Sequence, residues 1–514
     1  MTSGGDLPVL PAEVDVVVVG AGLAGLAAAR ALVAGGCETL VVEARDRVGG
    51  RVVNEPIGDG RIVELGGQWL APRNRRIRQL AEPFGAQYFR THDDGQRLLE
   101  LADGVHRQRG SLPALPLIPL LDLGVARARL DRRAREIDPE APWTARRARQ
   151  YDEQTLAVWL TSAVHTGPGR DLLRAAVATI WGDEPESVNL LQALAYIQGA
   201  GSLDALAGRE LQDRFVGGSA MLPMGLANQL GSRVICNAPV ERITTGADRV
   251  QVVAAGRTVS AGRVIVTVPP ALVSRIRFEP ALPAIRDRAV NCLPMGAITK
   301  VAAVYDRPFW RDRGLSGRAI STRGPVTATF DNSPPDGRPG VLLGFVPGER
   351  ARHLARLAPG ARRSAVLESF ARLFGEPAAR PDLFLEKDWA ADPWAGGCYF
   401  GLARPGALTG PLRHLRDPVR GIHWAGAETA GSNYGGMDGA VTSGERAADE
   451  VLASLVSPGH IGPGHIGPGH ISPGHVSPGH GMQAGVPATE AGAITALRSR
   501  SGPGADRDTE VGDS

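Results

Sequence analysis

The chain has 514 residues, 43% of them hydrophobic, which is enough for two or three domains and a large core. Its 57 basic and 54 acidic residues are scattered, and a formal charge of +3 without a polybasic block argues against a nucleic-acid partner. Cys37, Cys236, Cys292 and Cys398 stand far apart with no CxxC pair, so neither a zinc site nor a disulfide framework is expected.

A reducing, cytoplasmic setting fits that cysteine usage. No basic region followed by an apolar run opens the chain, and no stretch of about 20 apolar residues predicts a membrane span. Two biases remain. Glycine, at 66 residues, is in excess, which points to tight turns or close backbone approach to a ligand. The basic residues are arginine everywhere except Lys300 and Lys387.

The first informative segment is VDVVVVGAGLAGLAAARALVAGGCETLVVEARDRVGGR, Val14 to Arg51. A β-branched run leads into GAGLAG, then an alanine-rich helix, then a second strand that ends at Glu43. Gly20 permits the tight turn, Gly22 lets backbone approach a pyrophosphate, and Gly25 lets helix pack on strand. The helix N-terminus offers free N–H groups and a positive dipole end to phosphates, and Glu43 can accept ribose hydroxyls. The strand–turn–helix context makes this a dinucleotide-binding unit.

From about Ala71 to Arg214 the texture is helical and arginine-rich, as in YDEQTLAVWLTSAV and SVNLLQALAYIQGA. Short strands and Gly or Pro turns return in FVGGSAMLPMGLANQL, RVICNAPVERI and RVIVTVPPALV. Thr299 to Ala390 alternates strands with a helix, which suits a mixed sheet. A last strand, glycine-rich loop and helix run from Gly421 to Leu455. After Val456 come five Pro-Gly-His pentapeptides carrying His460, His465, His470, His475 and His480. Pro and Gly at that period predict a disordered linker, with loose metal binding as the alternative.

Taken in order, ARDRVGGRV, RIVELGGQWLAP, FVGGS, TVPPALV, MGAITKVAAVYDRPFW, DWAADPWAGGCYFG and GIHWAGAETAGSNYGGMDGA resemble the flavin-containing amine oxidase (monoamine oxidase) family. The resemblance implies an α/β fold with a discontinuous, Rossmann-like FAD-binding domain (1–75, 215–298 and 390–456). A second α+β substrate domain (76–214 and 299–389) has a mixed sheet flanked by helices, and 457–514 is the tail. It implies FAD, a small-molecule amine, O2 reduced to H2O2, and a homodimer as one expected assembly.

The same resemblance implies the site. In the first glycine cluster and the strand end after it, FAD meets Gly20, Gly22, Gly25, Glu43, Ala44 and Arg45. Further on it meets Gly50, Arg51, Gly66, Gly67, Gln68, Trp69 and Val240. From the last third of the chain come Trp389, Cys398, Gly426, Ala427, Glu428, Gly436 and Met437. Lys300 falls on the lysine that holds a water beside flavin N5, and Tyr399 on one of two tyrosines that face the ring. Cys398 matches the cysteine that forms a thioether to the flavin 8α carbon, although a lone cysteine is more often a small buried hydrophobe. Gly436 takes the place of the second tyrosine, with Tyr434 two residues earlier, which predicts a wider slot for a bulkier amine. Lys387, between Glu386 and Asp388, reads as solvated.

Two other enzymes remain open at this stage. An L-amino-acid oxidase needs an arginine for the substrate carboxylate, and many are available. A desaturase or cyclase acting on a natural-product intermediate would also suit the open position at Gly436. A flavin that is only structural is the non-enzymatic reading.

Overall fold

The computed structural model describes residues 10–110, 113–208 and 211–456, so the Pro-Gly-His tail lies outside the described residues. The strand Glu13–Val19 is the centre of the first sheet, flanked in parallel by Thr39–Val42 and Arg257–Val266. Val16, Val17 and Val18 are fully buried, as expected of a parallel strand covered on both faces. The sheet runs Arg277–Glu279, Val240–Thr245, Val250–Ala254, Arg257–Val266, Glu13–Val19, Thr39–Val42, Val234–Ile235. The late strand Ile422–Trp424 also pairs with Arg257–Val266. Segments from three distant parts of the chain therefore share one sheet.

The helix Leu23–Ala34 packs against the last helix, Met437–Val456. Small residues set their approach: a Cβ on Gly444 would lie 2.1 Å from the Ala24 carbonyl oxygen. A Cβ on Gly25 would lie 1.9 Å from the Gly20 carbonyl oxygen, so this glycine of GAGLAG serves the packing of the turn.

The second sheet runs Leu383–Asp388, Ile298–Tyr305, Gly340–Pro347, Ala328–Asp331, Leu315–Ser321, Gln96–Leu101, Gly104–Gln108. One register row crosses it. Lys300 stands opposite Lys387 on one side and Phe345 on the other, Phe345 opposite Ala328, and Ala328 opposite Ile320. Directly opposed residues share a face, so this row lies on one surface of the sheet.

Helices between Ala148 and Ala207 enclose a separate cluster around Trp159, Trp181 and Leu194. The stretch from Ala71 to Arg214 is not wholly helical, however. Tyr88–Arg90 pairs with Asp213–Phe215, and Gln96–Leu101 with Gly104–Gln108 extends the second sheet. Leu98 to Leu101 are buried in sequence as an unbroken run, because sheet and helix cover both sides. Such a run has no two-residue alternation to betray a strand. Among the described residues no helix is long and apolar enough to cross a membrane, and no His, Cys, Asp and Glu cluster could hold a metal.

Candidate active site

A cavity of about 430 Å3 is lined by both sheets and by the glycine-rich loops. At one end stands the first turn. Gly22 is the N-cap of Leu23–Ala34 and offers no side-chain cap, and a Cβ placed on it would meet nothing within 4 Å. Free helix N–H groups thus face open space, the arrangement an anionic pyrophosphate requires. Glu43 is held by the backbone N–H groups of Ala21 at 2.7 Å and Arg45 at 3.0 Å. The Arg45 guanidinium lies 2.8 Å from Asp392. Ala44 and Val240 complete that wall.

The other end is built around Lys300, only 3% exposed on its strand. Its Nζ donates to the Gly66 carbonyl at 2.9 Å and to Gln68 Oε1. It also lies 5.6 Å from the ring centroids of both Trp69 and Phe345. Burial pushes its pKa down to about 7; Glu64 opposes that shift and Arg214 adds to it. Gln68 donates in turn to Asn332 at 2.6 Å. Behind it, Arg214 and Glu64 form a fully buried ion pair at 2.9 Å, with Glu64 also accepting from the N–H and hydroxyl of Ser219. The indole N–H of Trp69 is buried on the cavity wall without a protein partner.

Cys398 and Tyr399 face the same chamber. Burial pushes the Cys398 thiol up to about 12, against the pull of Arg51 and Lys300. Burial also raises Tyr399 well above the usual phenol range. Arg51 donates to the Tyr399 carbonyl at 2.7 Å and grips Glu428 with two bonds, 2.6 and 2.9 Å. Gly426, Ala427, Gly436 and Met437 close the chamber from the last loop and helix.

Residues 23–452 match the family model described as flavin containing amine oxidoreductase. The chain belongs to the flavin-containing amine oxidoreductase family. It is 41% identical to the Mycobacterium tuberculosis protein AofH, assigned as a flavin-containing monoamine oxidase, over 85% of this chain and 96% of that one. Putrescine oxidase, in a wild-type structure bound to putrescine, superposes with a TM-score of 0.82 at 32% identity, covering 86% of this chain and 99% of that one. Cyclohexylamine oxidase from Brevibacterium oxydans IH-35A gives 0.82 at 31% identity, covering 86% and 100%.

The chain is thus a flavin-containing amine oxidoreductase that uses FAD, and the cavity fits that cofactor: an uncapped helix end at a glycine turn and an orphaned indole N–H both await a polar ligand. Gly20, Gly50, Gly66, Gly67 and Trp389 line the cavity with the residues above. Two of the expected residues are not on that lining. Gly25 does not line the cavity, because its missing Cβ is what lets the turn close. Glu428 lies behind Arg51 and orients that guanidinium instead of reaching the cavity wall. Lys387 is half-buried and paired rather than wholly solvated: its Nζ sits 2.8 Å from the buried Asp392 carboxylate and 5.0 Å from the Trp389 ring. The strand pairing turns it toward the same surface as Lys300.

Glu64, Arg214 and Asn332 were not anticipated. Their one sequence signal was Glu64, an acid between Val63 and Leu65 in RIVELGG, since a carboxylate there has to be paired. The partner lies 150 positions away. Tyr434 also lines the cavity; its hydroxyl donates to the Gly401 carbonyl at 2.8 Å and its ring packs edge-on to Phe400 at 5.2 Å.

Proposed function

We propose that this flavin amine oxidoreductase oxidises monoamines with an apolar body, in preference to short diamines. The observation that carries this reading is the lining around Ala176, Ile180, Ala319, Ile320, Ala328 and Phe330, where the one charged side chain is Arg318 and no carboxylate is present. The acids that line the whole cavity, among the described residues, are Glu43 and Asp438. Glu43 is engaged by two backbone N–H groups, and Asp438 by the Ile77 N–H and Asn433. A second ammonium would therefore lose its hydration without gaining a partner.

Bound FAD supplies the two-electron oxidation of the carbon beside the amine nitrogen and the transfer of both electrons to dioxygen. The chain's own residues prepare the substrate. Apolar walls exclude water and favour the neutral amine, whose lone pair is needed for oxidation. Lys300, whose pKa burial pushes down to about 7, can accept a proton at Nζ from the arriving ammonium or from the water that hydrolyses the imine product. Gln68, fixed by Asn332, keeps that Nζ aimed. A thioether tether to the cofactor, if one forms, would use Cys398, whose thiol burial holds up at about 12 against the opposing pull of Arg51 and Lys300.

The open position at Gly436 supports a broad slot, since a ring with 150 Å2 or more of contact is absent there. The test is anaerobic bleaching of the yellow holoenzyme by octylamine or benzylamine. Bleaching by these and not by putrescine is expected. Bleaching by α-amino acids alone would instead favour an L-amino-acid oxidase.

A further inference from the structure

A second cavity, of about 70 Å3, adjoins the chamber. Tyr196 and Tyr434 line both. Phe400, on the chamber wall, stands between those two: its ring centroid is 5.1 Å from that of Tyr196 and 5.2 Å, edge-on, from that of Tyr434. Three packed rings therefore form part of the partition. The Arg51 and Glu428 ion pair forms another part, since Arg51 lines the chamber and Glu428 the second cavity. On the lining of the second cavity Glu140 and Arg413 are exposed, whereas Gln192 and Glu428 are buried, so it leads from the surface to the back of the partition.

Several polar groups of this cavity are already held by the protein. Gln192 donates to the Gly401 carbonyl at 3.0 Å and accepts from the Ala403 N–H at 2.9 Å. Glu428 grips Arg51, and Glu140 accepts from the Ser432 N–H at 2.7 Å and lies 3.4 Å from Arg416. What faces a visitor is largely hydrocarbon, from Ala195, Leu293, Leu408, Leu412, Leu415 and Ala430. Apolar cavities of this kind stay dry and accept small apolar molecules such as xenon. The volume is several times the roughly 10–15 Å3 that a molecule the size of water needs. It is well below the 430 Å3 of the chamber, so an amine that fills the amine end does not fit here.

We propose that the second cavity is the route by which dioxygen reaches the cofactor, separate from the path of the amine. This rests on the reading that bound FAD passes its electrons to dioxygen. Dioxygen is small and apolar, and it is needed after the amine has been oxidised, while amine or imine occupies the apolar end of the chamber. Each dioxygen takes two electrons from the reduced cofactor, gains two protons and leaves as hydrogen peroxide. The last step inward crosses the wall of Tyr196, Phe400 and Tyr434. Side-chain rearrangement is far faster than turnover, so a wall of closed rings can still pass a diatomic gas.

The experiment narrows the cavity with Ala195→Leu and, at a different wall, Leu408→Phe, two residues outside the chamber lining. Holoenzyme is reduced anaerobically, in one arm with octylamine and in the other with stoichiometric dithionite, and then mixed with buffers of graded dioxygen content while flavin absorbance is followed. Each variant should be reoxidised about tenfold more slowly than the parent at every dioxygen concentration, with the anaerobic rate of reduction by octylamine unchanged. Crystals of the parent holoenzyme under xenon should hold xenon in the second cavity, and those of the variants should not. Reoxidation of both variants at the parent rate, or no xenon in the parent cavity, would overturn the route and leave the amine reading intact. A variant that slows reduction as much as reoxidation would also overturn it, because the cavity would then act through the packing of the chamber. A parent that dioxygen does not reoxidise would remove the route together with dioxygen as the electron acceptor. If octylamine does not reduce the flavin but the dithionite arm gives the expected difference, the amine reading fails and the route stands.

Discussion

Lys300 and Lys387, the two lysines of the chain, stand directly opposite each other on adjacent antiparallel strands, and their surroundings treat the two charges differently. Lys387 reaches the carboxylate of Asp392 at 2.8 Å. Lys300 reaches a carbonyl and an amide oxygen, while Glu64, the carboxylate whose charge acts on it, is committed to Arg214. One lysine is a paired cation and the other is a base of pKa about 7.

That difference is measurable as stability against pH. Unfolding returns Lys300 from about 7 to its ordinary 10.5, so between those values the unfolded chain binds more protons and stability rises with pH. Lys300→Met should therefore be more thermostable than the parent below pH 7, with the gap closing as pH climbs toward 10.5. Melting curves of both proteins across that range provide the check. Parallel pH dependences would mean that Lys300 is not the titrating group.

The Arg214 and Glu64 pair should behave as a unit. Arg214→Met leaves a carboxylate buried without a counter-ion and is expected to cost about 3–5 kcal/mol, whereas Arg214→Met with Glu64→Leu should recover most of it. Denaturant midpoints of the two variants decide this. A double variant as unstable as the single one would show that the pair's hydrogen bonds to Ser219 and Asn332, not its charge balance, dominate.

Gly22 and Gly25 lie three residues apart and should fail in different ways. A Cβ on Gly22 enters open cavity, so Gly22→Ala should fold normally and lose FAD affinity. A Cβ on Gly25 meets the Gly20 carbonyl at 1.9 Å, so Gly25→Ala should lower the stability of the apoprotein by about 1–3 kcal/mol or more. FAD titration and apoprotein melting, measured together, distinguish the two outcomes.

Cys398→Ser tests the tether. If the thioether forms, denatured parent retains its flavin, the intact mass includes one FAD, and the serine variant releases all of it to the filtrate. Release of all flavin by the parent would remove the tether and leave Cys398 as a wall residue.

Local features are legible in the sequence. GAGLAG followed by an alanine-rich helix depends on contacts within a few residues, so turn, helix start and phosphate-binding role could be read together. Lys300 was visible because a charge on an apolar strand in a lysine-poor chain demands explanation. The environment of Lys387 could not be read, since its flanking acids suggested solvent, whereas Asp392 and Trp389 enclose it only after strand Leu383–Asp388 joins the sheet.

By itself the sequence determined the family, the cofactor and the glycine-built nucleotide end, because those depend on residue type at fixed short spacing. The tertiary structure alone decided how the amine end is charged. Register across four strands aligned Lys300, Phe345, Ala328 and Ile320 and set Arg318 beside them, while the Arg214 and Glu64 pair closed over 150 residues. Register follows from how whole strands bury their faces, and no short motif encodes it.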